Sequence, residues 1–382
     1  MDLLYRTTQP QHTDVENGVS LGEIYYEIYG NPEECKGLLF YIFPMGGHTN
    51  QTYTRNALMP YLHEKTGYCC VCADYFGINL KVPTKTKKFR RIPPLKELIH
   101  FFQQHQLPMP SDFDDIFRIL SAHDIKKLPR HLMFLLETDP DYQSFGLLSA
   151  LDYVSVFADL HKSFNIKHKQ VTLYGSSFGG YIAMLMAKLM PNSISYIIEN
   201  SGFHETNKAE LNFLQANAGH TLKRDGVEYH IAPPPVWDTL DPQHPHFFDE
   251  NNAAIRDLKI AEHFIDSDIP LFSFHGEDDT LVSIKGKKHS WEILKDKFDL
   301  HAVHIKEEDI DGRLFKTTAH GLEASLKGLL DYAVDRVPLD TAVKDHNDFT
   351  LQVKRELKTP SGAFKIAFSD DYTYSFEYQA DS

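Results

Sequence analysis

Cysteine is scarce, with four in 382 residues at positions 35, 69, 70 and 72, which excludes the disulfide-dense scaffolds of small secreted domains. Three of the four sit together in Tyr68-Cys-Cys-Val-Cys-Ala-Asp74, and no second Cys/His pair stands at zinc-binding spacing. That stretch reads as a buried strand whose thiols act as small apolar side chains. Basic residues are also short, 39 Lys and Arg against 53 Asp and Glu for a net charge of -14. A phosphate-backbone binder concentrates positive charge, so nucleic acid is excluded as an expected partner. No basic leader followed by an apolar core opens the sequence, and no apolar run is long enough to span a bilayer. Cytoplasmic residence without membrane contact is the expectation.

What the chain does have is an alternation of apolar strand-like runs and helical stretches. Residues 21–29 partly alternate, 37–43 and 68–74 are continuous apolar runs, and a helix is expected over 52–64 between the last two. After a helical run at 145–164 come further strands at 171–174, 194–198, 269–274 and 301–305, with helices expected at 291–298 and 322–334. This alternation predicts an α/β class with a mostly parallel central sheet flanked by helices.

Two stretches break the pattern, at about 77–144 and 204–257, and read as insertions in one domain covering 1–344. The first carries Pro93-Pro94 and two short helical segments around 95–104 and 112–120. The second carries a hairpin signal, Asp225-Gly226 between Thr221-Leu-Lys and Val227-Glu-Tyr-His. Residues 345–382 have period-two runs and read as a small antiparallel appendage. Its aromatic stripe suits packing against its own domain, with a sugar-binding or partner-binding face as the alternative.

The chemistry concentrates in Val-Thr-Leu-Tyr-Gly175-Ser-Ser177-Phe-Gly179-Gly-Tyr-Ile-Ala. An apolar strand, a Gly-x-Ser-x-Gly turn and an apolar helix make the tight bend that presents a nucleophilic serine. Glycines two residues either side of Ser177 are needed because a Cβ there would meet neighbouring backbone, and Ser176 does not fit the slot. A serine hydroxyl needs a base oriented by an acid, following in the order Ser, Asp or Glu, His. The apolar strand 271–274 runs into His275-Gly-Glu277-Asp278-Asp279-Thr-Leu-Val282, an acidic loop at a strand's carboxyl end. Asp279, Asp278 and Glu277 are candidates, with Glu199 at the end of the preceding strand a further one. His320, between the last expected strand and the closing helix, suits the base; His275 and His289 lie too close to the acid loop for the expected order. Two backbone N–H donors complete the set: that of Phe178 and one from the Pro44-Met45-Gly46-Gly47 loop, from Met45 or Gly46. No cofactor or metal is required by this chemistry.

From about Gly37 to Val334 these residues resemble the serine α/β-hydrolase superfamily, whose fold is the expectation for this chain. The spacing His275-Gly-x-x-Asp279-x-x-Val282 is similar to the acid loop of many such hydrolases and favours Asp279. More narrowly, Tyr142-Gln-Ser-Phe-Gly146, Ile198-Glu-Asn-Ser201, Ile310-Asp-Gly-Arg-Leu-Phe315 and Ala319-His-Gly321 resemble an uncharacterised bacterial family of hydrolase-like proteins found with flagellin-glycosylation genes. In that family an aspartate followed by threonine occupies the acid loop, which matches Asp279-Thr280. The resemblance implies a serine esterase acting on a small-molecule ester, with an O-acyl group on a carbohydrate as the narrower substrate. Acyl transfer to a sugar hydroxyl through the same residues is one alternative, and a catalytically inert binding or scaffold protein is the other. A basic stretch, Lys81, Lys85, Lys87, Lys88, Arg90 and Arg91, reads as a solvated loop, with attraction of an anionic substrate as the sharper alternative.

Overall fold

A computed structural model describes residues 3–77, 89–90, 95–129, 132, 134–136, 143–166, 170–206, 208, 211, 220–232, 237–342 and 344–381. The chain forms two compact units, one of residues 1–79, 143–207 and 248–382, the other of residues 80–142 and 208–247.

The first unit is built on an eight-stranded sheet. Its strands are β1 (Leu3–Thr8), β2 (Ile24–Tyr29), β3 (Leu38–Ile42), β4 (Cys69–Asp74), β5 (Val171–Ser176), β6 (Tyr196–Asn200), β7 (Pro270–Gly276) and β8 (Asp299–Ile305). The spatial order is β1-β2-β4-β3-β5-β6-β7-β8. Pairs β1–β2 and β2–β4 are antiparallel, and every later neighbour is parallel. This is the α/β-hydrolase fold, with the sheet flanked by helices. The central strands β3, β6 and β7 are buried at every residue, which is why β3 is an unbroken apolar run and β6 and β7 begin on continuous apolar residues rather than alternating ones. In β4 the thiols of Cys70 and Cys72 are fully buried and held well above their ordinary pKa by that burial. Among the described residues no helix is long and apolar enough to cross a membrane.

One expected boundary shifts. The second insertion was expected over 204–257, but residues 248–257 belong to the first unit, because the helix Glu250–Arg256 is locked there. Arg256 is fully buried, donates to both carboxylate oxygens of Glu16 at 2.6 and 2.5 Å, and also reaches the Ser144 carbonyl. An unpartnered guanidinium at that depth would be costly, so the pairing fixes the helix. The C-terminal sheet, Lys354–Thr359, Gly362–Phe368 and Tyr374–Ala380, is the small antiparallel addition expected, and it packs within the first unit. The Tyr374 hydroxyl donates to the Leu151 carbonyl at 2.8 Å on the helix Leu147–Ser163, and Phe349 stacks on Phe157 with ring centroids 5.6 Å apart. The aromatic stripe is therefore core, with Phe364, Ile366, Phe368 and Phe376 all buried.

The second unit has its own core, in which Phe101, Phe102, Phe117, Leu120 and Tyr229 cluster. Its four-stranded sheet includes the expected hairpin, His220–Arg224 with Val227–Ala232. Asp225 and Gly226 carry φ of 48° and 84°, the two positive values that a two-residue hairpin turn of this kind demands. Of the basic stretch, Lys81, Lys85, Lys87, Lys88 and Arg91 lie outside the described residues, and Arg90 falls in the short strand Phe89–Arg90.

Burial also sets the acid stability. Desolvation, with the charge of Lys188 nearby, pushes His263 down to about 3, and desolvation with Lys287 pushes His275 down to about 4, both from 6.5. Both imidazoles are thus neutral when folded but take up protons below about pH 6.5 when unfolded. The stability they carry is complete above that pH and is lost as the pH falls towards the folded values. Between pH 7 and pH 5 each should cost about 2 kcal/mol of unfolding free energy, about 4 kcal/mol together. Denaturant midpoints at the two pH values test this. His263→Gln should remove about half of the difference, and a flat profile across that window would refute the assignment.

Candidate active site

The elbow comes from β5 running directly into the helix Phe178–Leu189, with Ser177 between them at φ 55° and ψ -125°. That is a strained conformation for a residue with a Cβ, and it persists because the turn is packed on every side. A Cβ on Gly175 would run into the Gly179 carbonyl group, and one on Gly179 would run into the carbonyl oxygens of Ile42 and Phe43. Neither glycine is at positive φ. They are required for space, so that the start of the helix can lie against the end of β3.

Three distant segments meet at the carboxyl ends of the parallel strands. Ser177 Oγ lies 2.8 Å from His320 Nε2, and His320 Nδ1 lies 2.8 Å from Asp279 Oδ2. The Asp279 side chain is fully buried, whereas that of His320 is 23% exposed, which leaves the imidazole open to solvent on one edge. Oδ1 of Asp279 accepts the N–H groups of Leu281 and Val282, both at 2.9 Å. Burial alone would raise the Asp279 carboxyl, but the His320 bond, the Val282 N–H and the neighbouring histidines outweigh it and hold the group below its ordinary value. Asp279 therefore stays a carboxylate, which orients the imidazole so that Nδ1–H points at the acid and the Nε2 lone pair at the serine.

The other acid candidates are engaged elsewhere. Asp278 accepts from the Thr318 hydroxyl at 2.6 Å, and Glu277 is exposed. Glu199 is buried and bound to Lys287 at 2.6 Å, to the Ser273 hydroxyl and to the Gly202 N–H at 2.8 Å. His275 gives its Nε2–H to the Val282 carbonyl at 2.8 Å, 3.5 Å from Asp279, and does not reach the serine's partner position.

The acid loop and the histidine turn are pressed together: a Cβ on Gly276 would collide with the Thr318 carbonyl. Opposite them, Gly47 N–H donates to the Pro44 carbonyl at 2.9 Å, closing a turn with Met45 and Gly46 at its centre. Both central residues are exposed, and Gly46 has φ 81°, the positive value that a type II turn places at its third position. Phe178 is the first residue of the elbow helix, so its N–H has no partner within the helix and stands at the positive end of the helix dipole. Two residues beyond the turn the chain is tied to Asp74, which accepts from Thr49 N–H at 2.8 Å and from the Thr49 hydroxyl at 3.2 Å.

Asn200 and Ser201, which carry no role among the expected site residues, sit between the elbow and the histidine turn. Their signals in the sequence are the Ile198-Glu-Asn-Ser201 motif and their position: they stand at the end of β6, the strand beside β5, at the sheet edge where open α/β folds put their chemistry.

A family described as "Protein of unknown function (DUF2920)" matches residues 10–339. No curated protein matches the chain. Among solved structures it is similar to Est1E from Butyrivibrio proteoclasticus with ferulic acid bound, at 16% identity and a TM-score of 0.41, covering 82% of this chain and 96% of that one. It is also similar to the Pyrococcus furiosus esterase Pf2001, at 11% identity and a TM-score of 0.45, covering 88% and 91%. A third is a Pyrobaculum calidifontis esterase, at 13% identity and a TM-score of 0.43, covering 90% and 86%.

Proposed function

The chain belongs to the family of proteins of unknown function DUF2920, and we propose that it is a serine hydrolase that cleaves a carboxylic ester through an acyl-Ser177 intermediate. The observation that carries this is the unbroken relay of two 2.8 Å hydrogen bonds from Ser177 through His320 to buried Asp279. In the acylation step the Ser177 hydroxyl proton passes to His320 Nε2 as Oγ bonds to the ester carbonyl carbon. The carbonyl oxygen becomes an oxyanion, which the N–H of Phe178 and that of Met45 or Gly46 stabilise. The intermediate collapses with cleavage of the ester bond, and the alcohol leaves with the proton from His320. Water then repeats the sequence and releases the acid. Asp279 holds the imidazole tautomer and compensates its charge in each transition state.

The narrower reading is that the ester is an O-acyl group on a carbohydrate, which rests on the family resemblance alone. A sugar hydroxyl replacing water in the second step would make the same site an acyltransferase. Supplying candidate sugars and measuring transferred against released acetyl separates the two. A fluorophosphonate probe tests the chemistry itself, because only an activated serine reacts. One mass increment on the folded chain, mapped to Ser177 and absent from Ser177→Ala, is the expected result. An unlabelled folded protein would instead establish an inert scaffold.

A further inference from the structure

The relay joins loops that are 143 positions apart in sequence, and its own hydrogen bonds orient side chains without fixing how far apart the two backbones sit. Asn200 and Ser201 fill that gap. The Asn200 carbonyl accepts the Ser177 N–H at 2.6 Å, while its side-chain Nδ2 donates to Ser176 Oγ at 3.1 Å and to the Gly321 carbonyl at 3.0 Å. A carbonyl can only accept, so the contact with Gly321 assigns Nδ2 to that side of the amide. Ser201 Oγ takes the Gly321 N–H at 3.0 Å and donates to Asn200 Oδ1 at 3.2 Å. Both residues are at most 1% exposed, so these bonds have no competition from water.

The segment they hold is one that resists its own conformation. Gly321, Leu322 and Glu323, directly after His320, carry φ of 77°, 60° and 41°. Consecutive left-handed residues are sterically disfavoured for side chains with a Cβ, and such a run survives only where its surroundings over-determine it. Here both backbone groups of Gly321 are taken by Asn200 and Ser201, and Leu322 is fully buried.

We infer that Asn200, assisted by Ser201, is a positioning residue that sets the reach between Ser177 and His320 by tying the elbow and the strained histidine turn to the end of one strand. The inference rests on the hydrolase reading above. It acts through His320 and does not touch the ester.

The test uses the full chain and short-chain aryl esters, with kcat expressed per site titrated by the fluorophosphonate so that misfolded molecules are not counted. Asn200→Asp keeps the shape but turns a donor into an acceptor facing the Gly321 carbonyl. A misplacement of about 1 Å costs on the order of 100-fold in rate. Asn200→Asp is therefore expected to lose about 10- to 100-fold in kcat with KM within about twofold of the parent, and Ser201→Ala, which removes the bond to Asn200 Oδ1 but leaves both Asn200 Nδ2 bonds in place, to lose less. Ser201→Ala also keeps the test alive if the Asn200 variant does not fold. Wild-type kcat per titrated site in whichever of these variants fold overturns the positioning role, as does a loss confined to KM. Ser177→Ala, measured alongside per mole of folded protein because it has no titratable site, separates the outcomes: if it retains turnover, the hydrolase reading fails and this inference with it; if it is inactive, only the role of Asn200 is in question.

Discussion

Ser177→Ala and His320→Ala should each lower kcat for a short-chain aryl ester by about 10⁴-fold or more, and the double variant should be no worse than either single one. The reason is mechanical. Without the hydroxyl there is no acyl acceptor for the imidazole to deprotonate, and without the imidazole the hydroxyl at 2.8 Å has nowhere to send its proton. Asp279→Asn should be slightly less severe, roughly 10⁴-fold, since an amide at 2.8 Å from Nδ1 favours the wrong tautomer without removing either reacting group. What remains is the contribution of the N–H donors and of binding. Initial rates for the parent and the four variants, with circular dichroism to confirm folding, decide the matter. Losses that multiply in the double variant would mean that the serine and histidine do not work as a unit.

Gly179→Ala should be among the most damaging single substitutions in the chain, at a cost of about 3 kcal/mol or more in unfolding free energy. The added carbon would meet the carbonyl oxygens of Ile42 and Phe43, and both are backbone, so no side chain can swing aside. The helix Phe178–Leu189 would have to retreat from β3, and all twelve of its residues are buried. The neighbouring position supplies the control. In Gly180→Ala the nearest atom is the Glu199 Cβ at 3.2 Å, a contact that shifts of a few tenths of an ångström relieve. Denaturant unfolding of the two variants should therefore differ by about 2 kcal/mol or more, with Gly179→Ala the weaker. Equal midpoints would refute the argument that space, rather than φ, selects this glycine.

The parts of the fold that could be read in advance are those where one physical demand acts alone. A strand buried on both faces, such as Leu38–Ile42, has to be apolar throughout, and a two-residue hairpin needs Asp225-Gly226. What escaped notice was governed by partners far away in sequence. The helix expected at 291–298 runs over Ile284–Leu294, because its buried face includes Lys287, which looks like a surface residue until Glu199 is known to lie beneath it. The closing helix begins at Leu326 rather than 322, since Ser325 caps it by accepting the Gly328 N–H at 3.1 Å while Leu322 and Glu323 are left-handed. Strand Leu3–Thr8 is a half-exposed edge with little apolar pattern, and Phe89–Arg90 and Phe134–Leu136 are too short to leave one. In the site, Ser177, Asp279 and His320 each stand at a position that their local sequence marks. Asn200 and Ser201 lie in the Ile198-Glu-Asn-Ser201 motif, but no chemical pattern marks them for a role, because their importance comes from the groups that converge on them.

The burial of the elbow helix also bears on how the chain is made. Phe178–Leu189 leaves the ribosome before the strands Pro270–Gly276 and Asp299–Ile305 exist, and before the C-terminal sheet can cover the adjacent helix Leu147–Ser163. At about 5–20 residues per second, the nascent polypeptide carries these two apolar helices uncovered for on the order of ten seconds. Holdase chaperones bind exposed apolar surface of this kind, so heterologous yield should hinge on their supply and on slow, cool translation more than on the equilibrium stability of the finished molecule.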